Sequence, residues 1–151
     1  MGQQQLLLVI LVTIIVGIAT VVAINTFSSA ADSANVDAVR QDLATIAASA
    51  QGYFMKPEML GGGGNKFTNI TFRDISFAAD TVYTSDYRTA VNQNGVYVMG
   101  TGTAGSVVVT GHPASKLTVD SDGNPTGTAD ATDRLEATIT KDAVNIVLGT
   151  N

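Results

Sequence analysis

The sequence contains no cysteine and only one histidine. The absence of cysteine excludes a disulfide, a thiol nucleophile and thiolate metal ligands. A single histidine leaves little material for a multi-histidine metal centre, and the position of His112 between Gly111 and Pro113 predicts a solvated turn residue. The sequence carries no pattern of a catalytic site, so we expect a protein that is not an enzyme.

Charged residues are also scarce, at 14% of the chain. Lys and Arg together number 8 and Asp and Glu 13, which gives a net charge of −5. Affinity for nucleic acid comes mainly from basic side chains that neutralise phosphates, so we expect no nucleic-acid partner. No charged residue precedes Asp32, and no basic residue precedes Arg40.

The longest apolar run, LLLVILVTIIVGIATVVAI, spans Leu6–Ile24 and is interrupted only by Thr13, Gly17 and Thr20. As a helix rising 1.5 Å per residue, these residues reach about 29 Å, which is close to the thickness of the hydrocarbon core of a bilayer. The run therefore has the length of a membrane span.

Two other interpretations of this run are open. A cleaved signal peptide would have a basic N-terminal region and an apolar stretch of about 7 to 15 residues, and this segment has neither. A plain membrane anchor explains the run equally well, but it gives no role to the long helix that follows.

Beyond Ile24 the pattern changes from wholly apolar to amphipathic. Apolar residues recur three or four positions apart, which places them on one face of a helix. These residues, which we expect to pack against a sheet, are Val36, Val39, Leu43, Ile46, Ala50 and Phe54.

The chain thus divides into three regions. Residues 1–55 form one long helix without proline, with an apolar half at 1–28 and an amphipathic half at 29–55. Residues 56–93 form a connecting loop region, in which 81–93 is either a loop or a short helix. Residues 94–151 form the sheet region.

Short runs bounded by Gly, Asn, Asp and Pro predict the strands. The candidate strands are Phe67–Ile75, Gly95–Met99, Ser106–Thr110, Lys116–Val119, Leu135–Thr140 and Val144–Leu148. With no helix between them, they favour an antiparallel sheet. The predicted fold is α+β, with the long N-terminal helix packed on a C-terminal antiparallel sheet.

Two short motifs suggest surface chemistry. Asp120, Asp122 and Asn124 place oxygen ligands at alternate positions, as calcium loops do, but the pattern is not an EF-hand, and a hairpin turn explains the same residues. Calcium is therefore the one cofactor that the sequence suggests. Asn69 begins the sequon Asn69-Ile70-Thr71, which makes it a candidate glycosylation site.

The stretch MGQQQLLLVILVTIIVGIATVVAINTFSSAADSANVDAVRQDLATIAASAQGYF resembles the N-terminus of type IV pilins and of the related pseudopilins. In that family a short polar-to-apolar N-terminus, an apolar half-helix, an amphipathic half-helix and a C-terminal sheet follow in this order. The resemblance covers about a third of the chain.

The resemblance implies that Met1 is the N-methylated first residue left by a prepilin peptidase. It also implies a homopolymer whose filament core is built from the apolar half-helices. Under this reading the core residues are Gln5, Leu6, Leu7, Leu8, Val9, Ile10, Leu11, Ile14, Ile15, Val16, Gly17 and Ile18.

The sequence departs from the family pattern at two places. The family has a glutamate at the fifth mature position, where it pairs with a neighbour's terminal amine, and this chain has Gln5, whose neutral amide cannot neutralise that charge. The proline frequent in the family's apolar segment is also missing. Gly17 is the local weak point that remains in the run.

The resemblance implies a structural subunit of an extracellular type IV pilus that serves adhesion or display. The chain would be anchored in the inner membrane before the pilus assembly machinery polymerises it. One alternative is a pseudopilin of a secretion or DNA-uptake system. Another is a membrane-tethered binding domain that never polymerises.

Overall fold

The computed structural model describes residues 2–115, 118–121, 125–126 and 134–149. Its contacts divide the chain into two compact units, an N-terminal unit of residues 1–34 and a C-terminal unit of residues 35–151. The elements are α1 (Gly2–Met55), a 3-10 helix (Glu58–Leu60), β1 (Thr81–Val82), β2 (Thr89–Val91), β3 (Gly95–Met99), β4 (Ser106–Pro113), β5 (Thr118–Val119), β6 (Pro125–Thr126), β7 (Leu135–Thr140) and β8 (Val144–Leu148).

The helix α1 runs without a break from Gly2 to Met55, as the absence of proline predicted. It ends where Pro57 prevents continuation, and the Lys56 amide closes the last turn on the carbonyls of Gly52 and Tyr53. The 3-10 helix follows at once, and Gly61 leaves it in the left-handed conformation, with φ of 76°.

The described residues of the N-terminal unit, 2–34, are all helical. Every residue from Gly2 to Ala31 is exposed, including all the apolar side chains of the Leu6–Ile24 run. Exposing such a surface to water is unfavourable, because the transfer of apolar surface out of water lowers the free energy.

The C-terminal unit is built on a six-stranded antiparallel sheet with the order β1-β2-β3-β4-β7-β8. Strands β5 and β6 form a separate two-stranded ladder between β4 and β7 in the chain. The amphipathic part of α1 packs on this sheet, which confirms the predicted α+β fold.

The core of the C-terminal unit lies between the helix and the sheet. The helix contributes an apolar stripe, β3, β4 and β7 contribute alternate side chains, and the segment after the helix contributes four anchors. Those anchors are Phe67, Ile70, Phe72 and Ile75.

Three of the strand predictions match the structure residue for residue, namely Gly95–Met99, Leu135–Thr140 and Val144–Leu148. The strand predicted at Ser106–Thr110 continues to Pro113. Of Lys116–Val119, the described part forms β5.

The strand predicted at Phe67–Ile75 was wrong, because this segment folds as turns. Its buried residues are spaced three, two and three apart instead of two. Asn69 has φ of 62°, outside the β region. The nearby 81–93 region, for which the sequence predicts a loop or a short helix, contains the strands β1 and β2.

Candidate assembly surface

The residues expected to form a filament core lie together on the N-terminal unit. The exposed fractions of its large apolar side chains between Leu6 and Ile24 range from 48% at Ile10 to 66% at Leu7. Burial of one such side chain contributes about 1.5 to 3 kcal/mol. Covering this helix with another apolar surface would therefore be strongly favourable.

Four hydroxyl groups of this unit donate to carbonyls within the helix. Thr13, Thr20 and Thr26 donate to the carbonyls of Val9, Val16 and Val22, at 2.8, 2.8 and 2.9 Å. Ser33 does the same four residues back, at 3.0 Å. These four hydroxyls need no water partner, so apolar surroundings would not leave them unpaired.

The described residues contain one helix that is long and apolar enough to cross a membrane, and its most apolar stretch is wholly unburied. Length and composition make it compatible with membrane anchoring. Gln5, at the start of this stretch, is exposed.

The predicted stripe on the second half of α1 lies in the C-terminal unit. Val39, Leu43, Ile46, Ala50 and Phe54 are buried, and the partly buried Val36 packs against the same core. Between them lie Ala47 and Tyr53, which are also buried and which the spacing rule did not select.

A polar cluster joins the helix to the turn between β2 and β3. One oxygen of Asp42, Oδ2, accepts hydrogen bonds from the Tyr97 hydroxyl at 2.6 Å, from Asn94 Nδ2 at 2.8 Å and from Asn92 Nδ2 at 2.9 Å. Asn92 also caps its own turn, because its Oδ1 accepts from the amides of Asn94 and Gly95. The cluster therefore fixes the helix against this turn.

Two turns earlier on the helix, Asn35 makes a second polar contact. Its Nδ2 donates to the Asn94 carbonyl at 3.0 Å, and its Oδ1 accepts from the Ser115 amide and hydroxyl, each at 3.4 Å. The helix is thus held to the loops after β2 and after β4 by side chains as well as by the apolar core.

The environment shifts the pKa values of this cluster. Burial alone would raise the pKa of Asp42, but the hydrogen bonds from Tyr97, Asn94 and Asn92 favour the charged form more, so its pKa lies below the ordinary 3.8. Burial and the Asp42 carboxylate raise the pKa of Tyr97. At neutral pH the cluster therefore consists of an ionised carboxylate and a protonated hydroxyl.

The turn prediction for His112 was wrong. His112 lies in β4, opposite Val96, and is 9% exposed. Burial, with a smaller contribution from the charge of Arg134, lowers its pKa below the ordinary 6.5, so it is neutral at pH 7. The flanking Gly111 and Pro113 belong to the same strand. Gly111 leaves space for the helix residues Val39 and Leu43, which a side chain there would contact too closely.

The remaining predicted sites are distributed as follows. Asn69 is exposed on a turn, accessible as a sequon asparagine must be. Asp120 is half-buried, whereas Asp122, Asn124 and Met1 lie outside the described residues. Among the described residues, no three His, Asp or Glu side chains are grouped so that they could hold a metal ion.

The Asp42 cluster is the feature that the sequence reading missed. Asp42 follows Val39 by three residues and precedes Ile46 by four, which places it at the margin of the apolar stripe. The asparagine-rich turn Asn92–Asn94 was the other available signal.

No family model matches this chain, and no curated protein or solved structure is significantly similar to it.

Proposed function

We propose that this protein is the structural subunit of an extracellular type IV pilus-like filament, assembled through its N-terminal helices. The observation that carries the proposal is the helix segment Gly2–Ala31, which is exposed throughout, has no charge, and is continuous with a helix that packs on its own sheet. Sister helices and, before assembly, lipid are the apolar surroundings that would cover it.

The internal hydroxyl bonds support the same proposal. In a bundle of apolar helices, an unpaired hydroxyl would be costly, and each threonine of the segment has a carbonyl acceptor within its own helix. Small residues such as Gly17 would let neighbouring backbones approach closely. In this proposal the C-terminal unit forms the outer surface of the filament.

Electron microscopy of material sheared from the native cells tests the proposal. We expect filaments whose main component, identified by peptide mass spectrometry, is this chain. A membrane-tethered domain would instead stay in the membrane fraction with no filament containing it, and a pseudopilin would give at most short polymers that are not released by shearing.

A pair of matched variants tests the assigned surface. Ile14→Asp places a charge in the middle of the exposed apolar segment, where burial of an unpaired carboxylate costs several kcal/mol, so filaments should be lost. Ala44→Asp makes the same kind of change at an exposed position of the amphipathic half and should assemble normally. Filaments of normal yield from Ile14→Asp would refute the helical core.

A further inference from the structure

The turn between β2 and β3 ends in the dipeptide Asn94-Gly95, the one Asn-Gly pair in the sequence. Asparagine is chemically labile, because the next backbone nitrogen can attack the side-chain carbon Cγ and displace ammonia. A following glycine favours this reaction, since it has no side chain to shield its nitrogen and its backbone rotates freely. Asn94 is therefore the most reactive asparagine that the sequence contains.

The fold holds both groups of this reaction in hydrogen bonds. Asn94 Nδ2, the nitrogen that would leave as ammonia, donates to Asp42 Oδ2 at 2.8 Å. The Gly95 amide, which would attack, donates to Asn92 Oδ1 at 3.1 Å. The Asn94 carbonyl accepts from Asn35 Nδ2 at 3.0 Å and from the first backbone amide after β4 at 2.9 Å. To react, the Gly95 nitrogen must lose its proton and reach Asn94 Cγ, and these contacts oppose that movement.

Neither residue of this pair can be exchanged freely. A Cβ at Gly95 would overlap the carbonyl oxygen of His112 and lie 3.3 Å from Val39 Cγ2, so glycine is required where β3 approaches β4. Asn94 supplies a neutral donor to Asp42, which an aspartate at this position would lack. The labile pair is thus built into the contact between the helix and the sheet.

We infer that Asn94 is a deamidation site that the contact with Asp42 protects, and that its deamidation releases the β2–β3 turn from the helix. When local opening separates Asp42 from the turn, the Gly95 nitrogen gives up its proton and bonds to Asn94 Cγ. The amide nitrogen of the side chain takes up a proton and leaves as ammonia. Water then opens the cyclic imide at either carbonyl, which gives aspartate or isoaspartate.

Neither product restores the contact. In the aspartate form a carboxylate replaces the amide donor, so it meets the Asp42 carboxylate with like charge and with no hydrogen to donate. The isoaspartate form adds a methylene group to the backbone, which misaligns Gly95 with its partner Pro113 at the start of β3. The reaction is irreversible, so a chain that has lost this amide keeps a weaker attachment between helix and turn.

Peptide mass spectrometry of the full chain, incubated in detergent at mildly alkaline pH, measures how fast Asn94 becomes aspartate and isoaspartate. Asp42→Ala removes the acceptor of the side-chain amide and should raise this rate several-fold. The control for a general loss of stability is Ile139→Val, which trims a fully buried residue of β7 away from the turn and should keep the parent rate. Equal rates in the parent and Asp42→Ala, or equal acceleration in both variants, would overturn the protection by Asp42.

The substitution Asn94→Asp makes the product directly and tests its effect on the contact. Its midpoint of urea denaturation should fall below that of the parent. The matched control is Gln93→Glu, which adds the same charge at the neighbouring exposed position and should leave the midpoint nearly unchanged. A parent-like midpoint in Asn94→Asp would refute the release of the turn. These measurements do not involve filament formation, so they test this site independently of the proposed function.

Discussion

At the scale of single residues, the Asp42 carboxylate is the polar centre of the contact between α1 and the β2–β3 turn. One of its oxygens accepts from three side chains, one of which is the hydroxyl of the fully buried Tyr97. A buried hydroxyl without an acceptor costs more than its hydrogen bond contributes. The stability of the contact therefore depends on this one carboxylate.

Asp42→Ala should lower the free energy of unfolding by about 1 to 3 kcal/mol, because Tyr97 then loses its acceptor. Urea denaturation followed by tyrosine fluorescence measures this. The control is Asp37→Ala, which removes only an exposed ion pair with Arg40 and should cost less than about 1 kcal/mol. An equal loss in both variants would contradict the role of Asp42.

The lowered pKa of Asp42 predicts an acid-dependent loss of stability. Because the folded-state pKa lies below the ordinary 3.8, the contribution is complete above that value and is lost as the pH falls through the folded-state pKa. The stability difference between the parent and Asp42→Asn should therefore be constant near neutral pH and shrink in strong acid. Urea titrations at a series of pH values would show a constant difference if the carboxylate were not involved.

His112 predicts a separate dependence at higher pH. Its pKa is lowered from 6.5 in the folded state, so the unfolded chain binds more protons and stability falls as the pH drops below that value. The slope should not exceed about 1.4 kcal/mol per pH unit. In His112→Gln this slope should be absent between about pH 7 and 5, and an unchanged slope would assign the effect to another group.

Single-residue environments were the least predictable part of the molecule. His112 was misplaced because Gly111 and Pro113 are read as turn residues, whereas Gly111 is required where the helix approaches β4. Asp42 was missed because its donors lie 50 to 55 residues away in the sequence. Such contacts depend on how elements pack, which local patterns do not record.

At the scale of elements, the approach of α1 to β4 is close enough to require a residue without a side chain. A Cβ at Gly111 would lie 2.7 Å from Val39 Cγ1 and 3.1 Å from Leu43 Cδ1. Both helix residues are fully buried and have no room to move. Gly111 thus sets the spacing between helix and sheet.

Gly111→Ala should destabilise the C-terminal unit by about 1 to 3 kcal/mol through overpacking. Adding Val39→Ala removes the nearest atom, so the double variant should lose less than the sum of the two single losses. Gly105→Ala serves as the control, since a Cβ there meets nothing within 4 Å. Additive losses in urea denaturation would show that the two positions do not compete for space.

The elements themselves were largely predictable. The helix and the strands β3, β7 and β8 follow from strong periodicity and from clear Gly, Pro and Asn boundaries. Strands β1 and β2 were missed because they have two and three residues, too few for any period to be visible. The segment 67–75 has strand-like composition, but its turns are fixed by distant partners such as the Thr103 carbonyl.

At the scale of the whole molecule, the two units have different requirements. Every residue that the structure describes as buried belongs to the C-terminal unit, while residues 2–31 are exposed. The sequence pattern changes from apolar all round to amphipathic beyond Ile24, and the predicted halves of the helix were 1–28 and 29–55, whereas the units meet between Ala34 and Asn35. Patterns within the chain do not identify what covers the exposed helix, because that surface belongs to another molecule or to another copy of the chain.

Residues 35–151 produced alone should therefore form a soluble monomer that keeps its sheet, since they retain the whole core and lose only the exposed apolar segment. Light scattering after size exclusion gives the mass, and circular dichroism gives the secondary structure. Filaments or an unfolded chain from this fragment would contradict the division into units.

The position of the core stripe at the start of the chain has a consequence for biosynthesis. Val39 emerges from the ribosome about 100 residues before Ile139, with which it shares the core. At about 5 to 20 residues per second, the stripe stays without its sheet for roughly 5 to 20 s. Throughout this interval the apolar face of the helix is exposed on the nascent chain. A surface that covered this face during translation would protect the chain from aggregation.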